Sequence, residues 1–290
     1  MTWLIFSFAA LLLTVSYGLV SKKALNNEEK NLDSIAYASA TFIIVGIVTL
    51  LISFLTDFST NDFLALVDPN IAGLLILNLL FYTIAPSFYY PALKKLPLSI
   101  VIIIYSLSGF FTFIIGTLFN QNSFTYASLF GSLLIFLSVI IVTLRGRDLK
   151  ISRYIPLVVV STIFYSAAAT IDQRLIGHFS TSFYLGFTFG IPGVLLLIVN
   201  RVPWDKIRQP YLPKNYLAVF FYGLFASTSF YCVFMAFRTG GTAASVYSIL
   251  ATEAVVSVVA SAIFLHERKH MFTKIIAALI ASLGVYLLIS

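Results

Sequence analysis

The sequence predicts an all-α integral membrane protein of ten transmembrane helices, arranged as two inverted five-helix repeats. Three observations predict it. Hydrophobic residues fill 60% of the 290 positions and charged residues only 10%, against roughly 25% charged in soluble domains. The apolar residues form long runs of the roughly 20 residues that cross a hydrocarbon core of about 30 Å. The two halves of the chain also share identities at a nearly constant spacing.

The runs lie at about 2–21, 35–55, 71–93, 98–118, 124–144, 154–173, 179–199, 215–237, 242–264 and 272–289. Each must be a helix, because lipid offers no partner to a free backbone group. The runs do not alternate apolar with polar residues, which argues against a β-barrel. The first run has no cationic leader and no small-residue cleavage site, so it reads as a retained span. The longest polar stretches, 22–33, 56–70, 145–153 and 200–214, are too short to be soluble domains. RGRDLKISR at 145–153 lies at the middle of the chain and divides it into a first repeat, 1–148, and a second, 149–290.

Tyr37, Thr41, Phe42 and Gly46 recur 147 residues later as Tyr184, Thr188, Phe189 and Gly193. Ser16 and Leu25 recur as Ser166 and Leu175. Ala92 and Ser99-Ile100-Val101 recur loosely as Ala236 and Ala243-Ala244-Ser245, and Phe124-Thr125 recurs as Phe272-Thr273. Five crossings are an odd number, so the second copy enters the membrane from the opposite face. Inverted repeats of this kind build alternating-access carriers with a solute site near the midplane.

The formal charge is +7, but no basic helix, finger or stacking platform points to nucleic acid. The basic residues sit in loops, where they set orientation and meet lipid head groups. In a ten-span arrangement sixteen of them share one side, and only Arg174 and Arg238 fall on the other. The positive-inside rule then places the sixteen in the cytoplasm and both termini outside, in a cell inner membrane. Cys232 is the single cysteine, so no internal disulfide forms.

Toward the C-terminus the chain reads AFRTGGTAASVYSILATEAVVSVVASAIFLHERKHMFTKIIAALIASLGVYLLI. This segment resembles the closing part of EamA-type carriers of the drug/metabolite transporter superfamily. Their Glu-Pro-Val and Leu-Gly-Glu-Arg steps correspond here to Glu253-Ala254-Val255 and Leu265-His266-Glu267-Arg268, and their glycine-bearing last span to Gly284. A fainter copy, PALKKLPLSIVIIIYSLSGFF, starts at Pro91. Ala254 stands in place of the family proline and His266 in place of its glycine. Asn120 or Gln121 stands where a first-half glutamate would be. The resemblance implies secondary transport of a small organic solute, amino-acid-like or drug-like, and no enzymatic activity.

Glu253 is the sharpest single signal: an ionisable residue at the centre of the ninth run is expensive and therefore a functional candidate. In a wet cavity it can take a proton or a cationic group; as a structural residue it would bond Thr252, Ser248 or nearby backbone. Asn78 and Tyr82 share a face of the third run, and Tyr222 and Ser229 share one of the eighth. Tyr105 and Ser108 in the fourth run, and Tyr247 in the ninth, can join them. Aromatic rings with a few polar tips suit an organic ligand, although tyrosines also mark membrane interfaces. Pro86, Pro91 and Pro192 read either as hinges or as fixed kinks. Gly186, Gly190 and Gly193 read as close-packing residues. Lys22, Lys23, Asp172 and Arg174 flank equivalent ends of runs one and six, as head-group anchors or, for Lys22 and Asp172, as a gate pair.

His266-Glu267-Arg268-Lys269-His270 spells the zinc motif H-E-x-x-H. A catalytic zinc needs a third ligand, and no Asp, Glu or His follows His270. A membrane-embedded zinc protease is therefore the alternative least favoured, beside a non-transporting scaffold. No phosphate-binding glycine loop, Walker-type lysine or nucleophile–base set is found, and no metal or cofactor is expected. The expected partners are a small-molecule solute, the lipid bilayer and protons.

Overall fold

A computed structural model describes residues 2–27, 32–56, 58–118, 125–145, 153–240, 246, 249–250 and 252–289. The described residues are helical, without a β-strand. Along the chain run α1 (Thr2–Asn26), α2 (Ser34–Thr56), α3 (Thr60–Val67), α4 (Pro69–Lys95), α5 (Leu98–Tyr105), α6 (Leu107–Leu118) and α7 (Tyr126–Arg145). There follow α8 (Ile155–Leu175), α9 (Thr181–Val199), α10 (Trp204–Ile207), α11 (Tyr216–Arg238), α12 (Glu253–Phe264) and α13 (Met271–Ile289).

Seven of the described segments are long and apolar enough to cross a membrane: α1, α2, α4, α5 with α6, α8 with the turn after it, α9 and α11. Three shorter apolar helices, Tyr126–Val142, Glu253–Phe264 and Met271–Leu287, fill the remaining apolar runs. Helix ends follow local chemistry. Asp68 caps α4 by accepting from the Asn70 amide at 2.9 Å, with Pro69 in the first turn. Pro is tolerated there because that amide would be unbonded anyway. The stretch 56–70, expected as a loop, holds α3, because Ser59 and Asp62 form a reciprocal capping box. α4 continues through Pro86 and Pro91, so neither ends the helix. The fourth apolar run breaks at Ser106, whose hydroxyl donates to the Ile103 carbonyl at 2.6 Å.

The bundle is inside-out relative to a soluble protein. Leu55, Phe130, Leu133 and Ile140 face outward, while Asn78, Thr41, Ser138 and Thr162 are buried. The closest helix pairs are α2 with α9, α1 with α11, α4 with α8 and α7 with α13. Glycines set the α2–α9 crossing. Gly193 lies against Ile43, Gly46 against Gly190, and Gly186 against Leu50. Numbers rise along one helix as they fall along the other, so the two run antiparallel. Small residues at such a crossing let backbones approach and gain dispersion contact, the main attraction available between helices in lipid. At the α7–α13 crossing, Gly284 abuts Gly131 and Ile135 in the same manner.

Polar links join chain segments at each end of the bundle. At one end Lys22 Nζ donates to the Leu93 carbonyl at 2.7 Å and Lys94 Nζ to that of Leu32 at 2.6 Å. There too Asp33 meets Lys206 at 3.2 Å and takes its amide's bond to Gln209. Glu267 accepts from the Leu98 amide at 2.8 Å and from the Ser99 amide and hydroxyl. At the other end Asp62 accepts from the Ser180 amide at 2.6 Å and from its hydroxyl at 2.9 Å.

Two expectations are corrected here. Lys22 does not anchor head groups: it is 3% exposed and caps the carbonyl end of α4. Nor does it pair with Asp172, whose carboxylate is held by Asn78, Tyr82 and Tyr184. Both groups were carried inward because each found backbone or side-chain partners that offset the loss of water.

Candidate functional site

Aromatic side chains from seven helices meet at the junction of the two halves and form a closed circuit. Tyr17 of α1 packs on Tyr222 of α11 at 5.1 Å between centroids, and Tyr222 on Tyr37 of α2 at 6.2 Å. The circuit continues through Tyr90 and Tyr89 of α4 to Tyr105 of α5. It then passes to Tyr165 of α8, Tyr82 of α4, Phe189 of α9 and Phe230 of α11, which returns to Tyr17. Phe42 and Phe189, counterparts in the sequence repeat, meet edge-to-face with centroids 5.1 Å apart beside it.

The ring is buried on one side and open on the other. Tyr37, Tyr82, Tyr90, Phe189 and Tyr222 are buried. Tyr17, Tyr89, Tyr105, Tyr165 and Phe230 keep accessible surface although they face inward. Tyr90 donates to the Tyr222 hydroxyl at 2.9 Å, tying the two halves together through a polar tip. Tilted and edge-to-face contacts of this kind suit the ring quadrupoles.

Glu253 lies near the same rings. It is half-buried and within electrostatic reach of the Tyr17, Tyr89 and Tyr105 hydroxyls. It begins α12, so it stands at a helix start where the sequence suggested a mid-helix position. The Thr252 hydroxyl donates to the Ile249 carbonyl, so it does not serve Glu253. Among the described residues Glu253 has no hydrogen-bond or ion-pair partner. Ser248 lies outside the described residues, as do Asn120, Gln121, Phe124 and Ala243-Ala244-Ser245.

Of the residues singled out from sequence, the structure therefore brings Tyr82, Tyr105, Tyr222 and Glu253 together. Asn78 is 0% exposed and donates to Asp172 at 2.8 Å and to the Ala168 carbonyl at 3.0 Å. Ser229 shares a 2.8 Å hydrogen bond with Thr14 and lies 3.0 Å from the Ala10 carbonyl. These two side chains join helices and do not front the ring's open face. Tyr247 lies outside the described residues. Sequence reasoning missed Tyr17, Tyr89, Tyr90, Tyr165 and Phe230. The adjacent Tyr89-Tyr90 pair inside an apolar run was the one available signal.

The H-E-x-x-H stretch has no zinc geometry. His266 and His270 both adopt left-handed backbone, φ 58° and 55°, so they do not share a helical face. Among the described residues no group of three metal-ligating side chains is found. Glu267 is instead bonded to the start of α5.

Comparison with known proteins agrees with the geometry. A solved structure named only "Crystal structure of protein" superposes with a TM-score of 0.67 at 14% identity. The match covers 97% of this chain and 94% of that one, and at this identity it speaks for the fold. No curated protein matches the sequence. The model of the EamA-like transporter family matches twice, over residues 1–144 and 152–290. The chain is thus a multi-pass membrane protein and belongs to the EamA-like transporter family.

Proposed function

We propose that this protein is a secondary carrier of a small organic solute, amino-acid-like or drug-like, that bears a protonated amine. It works by alternating access between two inverted five-helix halves, 1–148 and 149–290. The observation that carries the reading is the aromatic circuit with a carboxylate beside its open rings, Glu253, that has no partner among the described residues. Tyrosine faces attract a cation by about 0.5–2 kcal/mol each, more as water is excluded. The Glu253 carboxylate supplies the counter-charge. Asn78 and Ser229 hold the helices that shape the space, and Tyr247 belongs to the segment next to Glu253.

Several features support ten crossings in inverted halves. Exchanging the halves maps α2–α9 and α7–α13 onto themselves and α1–α11 onto α4–α8, and all four are close pairs. The self-paired α2 and α9 run antiparallel. The polar links join residues around the first, third, seventh and ninth connections at one end, and the second and sixth at the other. That is the alternation ten crossings require. The lysine-rich end then faces the cytoplasm of a cell's inner membrane, by the positive-inside rule.

Purified protein in proteoliposomes tests the reading. An amine-bearing solute picked by thermal stabilisation is expected to exchange across the membrane. Glu253→Gln is expected to abolish the exchange while leaving the fold intact. Unchanged flux in Glu253→Gln would reject its role.

A further inference from the structure

A second half-buried carboxylate stands behind Tyr82 of the solute ring. Asp172 lies near the end of α8, and Asn78 and Tyr82 of α4 and Tyr184 of α9 all donate to it. Oδ1 accepts from the Asn78 amide at 2.8 Å and from the Tyr184 hydroxyl, and Oδ2 from the Tyr82 hydroxyl. Among the described residues no Lys, Arg or His forms an ion pair with it. An ionised carboxylate without a counter-cation is expensive inside a bilayer, and three donors offset that cost only while it stays charged. The cluster also holds an acceptor that none of the described residues uses. The Asn78 amide nitrogen is spent on Asp172 and Ala168, and its Oδ1, fully buried, has no hydrogen-bond partner.

We infer that Asp172 is a proton-binding site, distinct from Glu253 and joined to the solute ring through Tyr82, whose occupancy loosens the contact between α4, α8 and α9. The inference rests on the carrier reading, for which it supplies the coupling ion. Charged, Asp172 draws three donors from two helices onto a third. A proton taken from water on one face turns one acceptor oxygen into a hydroxyl. That hydroxyl needs an acceptor, and a half-turn of the Asn78 amide presents its unused Oδ1. The half-turn breaks the bond to Ala168 and frees one tyrosine. The same proton later leaves to water on the other face, and nothing is oxidised or reduced. Tyr82 carries the change to the ring, since it meets Tyr165 edge-to-face at 5.8 Å and Phe189 at a tilt at 6.0 Å. The titratable groups facing Asp172 are Tyr82 from α4 and Tyr184 from α9. On its own helix are Tyr165, against which Tyr105 of α5 packs, and Arg174 and His178 beyond it.

Infrared difference spectra of the lipid-reconstituted protein, taken between about pH 5 and pH 8, test this without any solute. A protonated-carboxyl band is expected in wild type and in Glu253→Gln, and the band that remains in Glu253→Gln is expected to vanish when Asp172→Asn is added. Tyr82→Phe and Tyr184→Phe keep the side-chain shape, and each should displace the band, because each removes one hydrogen bond to that carboxyl. No such band in wild type, a band unchanged in Asp172→Asn or in both tyrosine variants, or a band that follows sodium and not pH would overturn the inference. A carrier that exchanges solute but lacks the band keeps its proposed function and loses only this site. A protein with the band and no flux does the reverse.

Discussion

Substituting alanine at either side of one glycine crossing should have opposite effects. A Cβ on Gly46 would lie 2.4 Å from the Gly190 Cα, 2.6 Å from its nitrogen and 3.1 Å from the Gly186 carbonyl oxygen. All three are backbone atoms and cannot rotate away. Restoring ordinary carbon contact near 3.5 Å requires α2 and α9 to part by about 1 Å. Overpacking usually costs about 1–3 kcal/mol, and the upper part of that range is expected here because the strain falls on the closest helix pair. A Cβ on Gly190 meets only the Gly46 Cα, at 3.6 Å, an ordinary contact. Gly190→Ala therefore gains the helix preference of alanine over glycine, about 0.5–1 kcal/mol. Unfolding of both variants in detergent, followed by circular dichroism against a denaturing surfactant, measures the difference. Gly46→Ala should unfold earlier than wild type and Gly190→Ala at the same point or later. Equal losses in both, or no loss in Gly46→Ala, would refute the backbone contact and with it the antiparallel crossing.

Four further outcomes are expected. Gly284→Ala should destabilise the α7–α13 pair by about 1–3 kcal/mol in the same unfolding assay, because its Cβ would lie 2.7 Å from the Gly131 carbonyl oxygen. Glu267→Ala removes the acceptor of two amides and a hydroxyl at the start of α5 and should cost about 1.5–3 kcal/mol. Glu267→Gln, which keeps an oxygen there, should lose less. Tyr222→Phe deletes only the hydrogen bond from Tyr90 and should cost about 1 kcal/mol, whereas Tyr222→Ala opens the ring and should cost about 3–5 kcal/mol. Lys206→Ala removes a partly exposed ion pair with Asp33 and should change unfolding by no more than about 1 kcal/mol.

Much of the architecture was legible because lipid imposes a simple rule. Runs long enough to cross must be helices, and among the described residues seven runs hold helices of spanning length and the other three hold shorter apolar helices. The repeat was legible at Tyr37, Thr41, Phe42 and Gly46, and its physical meaning appears at Phe42–Phe189 and Gly46–Gly190, where the copies touch. Which side chains face inward was not legible. A membrane helix is apolar all round, so its inner face carries no hydrophobic period. Tyr89 and Tyr165 therefore looked like any other span tyrosine until seven helices brought the rings together. Asp172 and Lys22 sit near helix ends, where charged residues ordinarily meet head groups. Their partners, Tyr82, Tyr184 and the Leu93 carbonyl, come from other helices and leave no mark on the local sequence. Glu267 resembled part of a zinc motif, because pattern spacing assumes a helix that the backbone at His266 and His270 does not form.

Counterflow in proteoliposomes tests the central claim most directly. Vesicles preloaded with an unlabelled amine-bearing solute should accumulate the labelled solute through the wild-type protein. Glu253→Gln and Tyr105→Ala, folded by the unfolding assay above, should bring accumulation down to that of empty vesicles. Accumulation that persists in both variants, or is absent in wild type for every amine-bearing solute that stabilises the protein, would contradict the account.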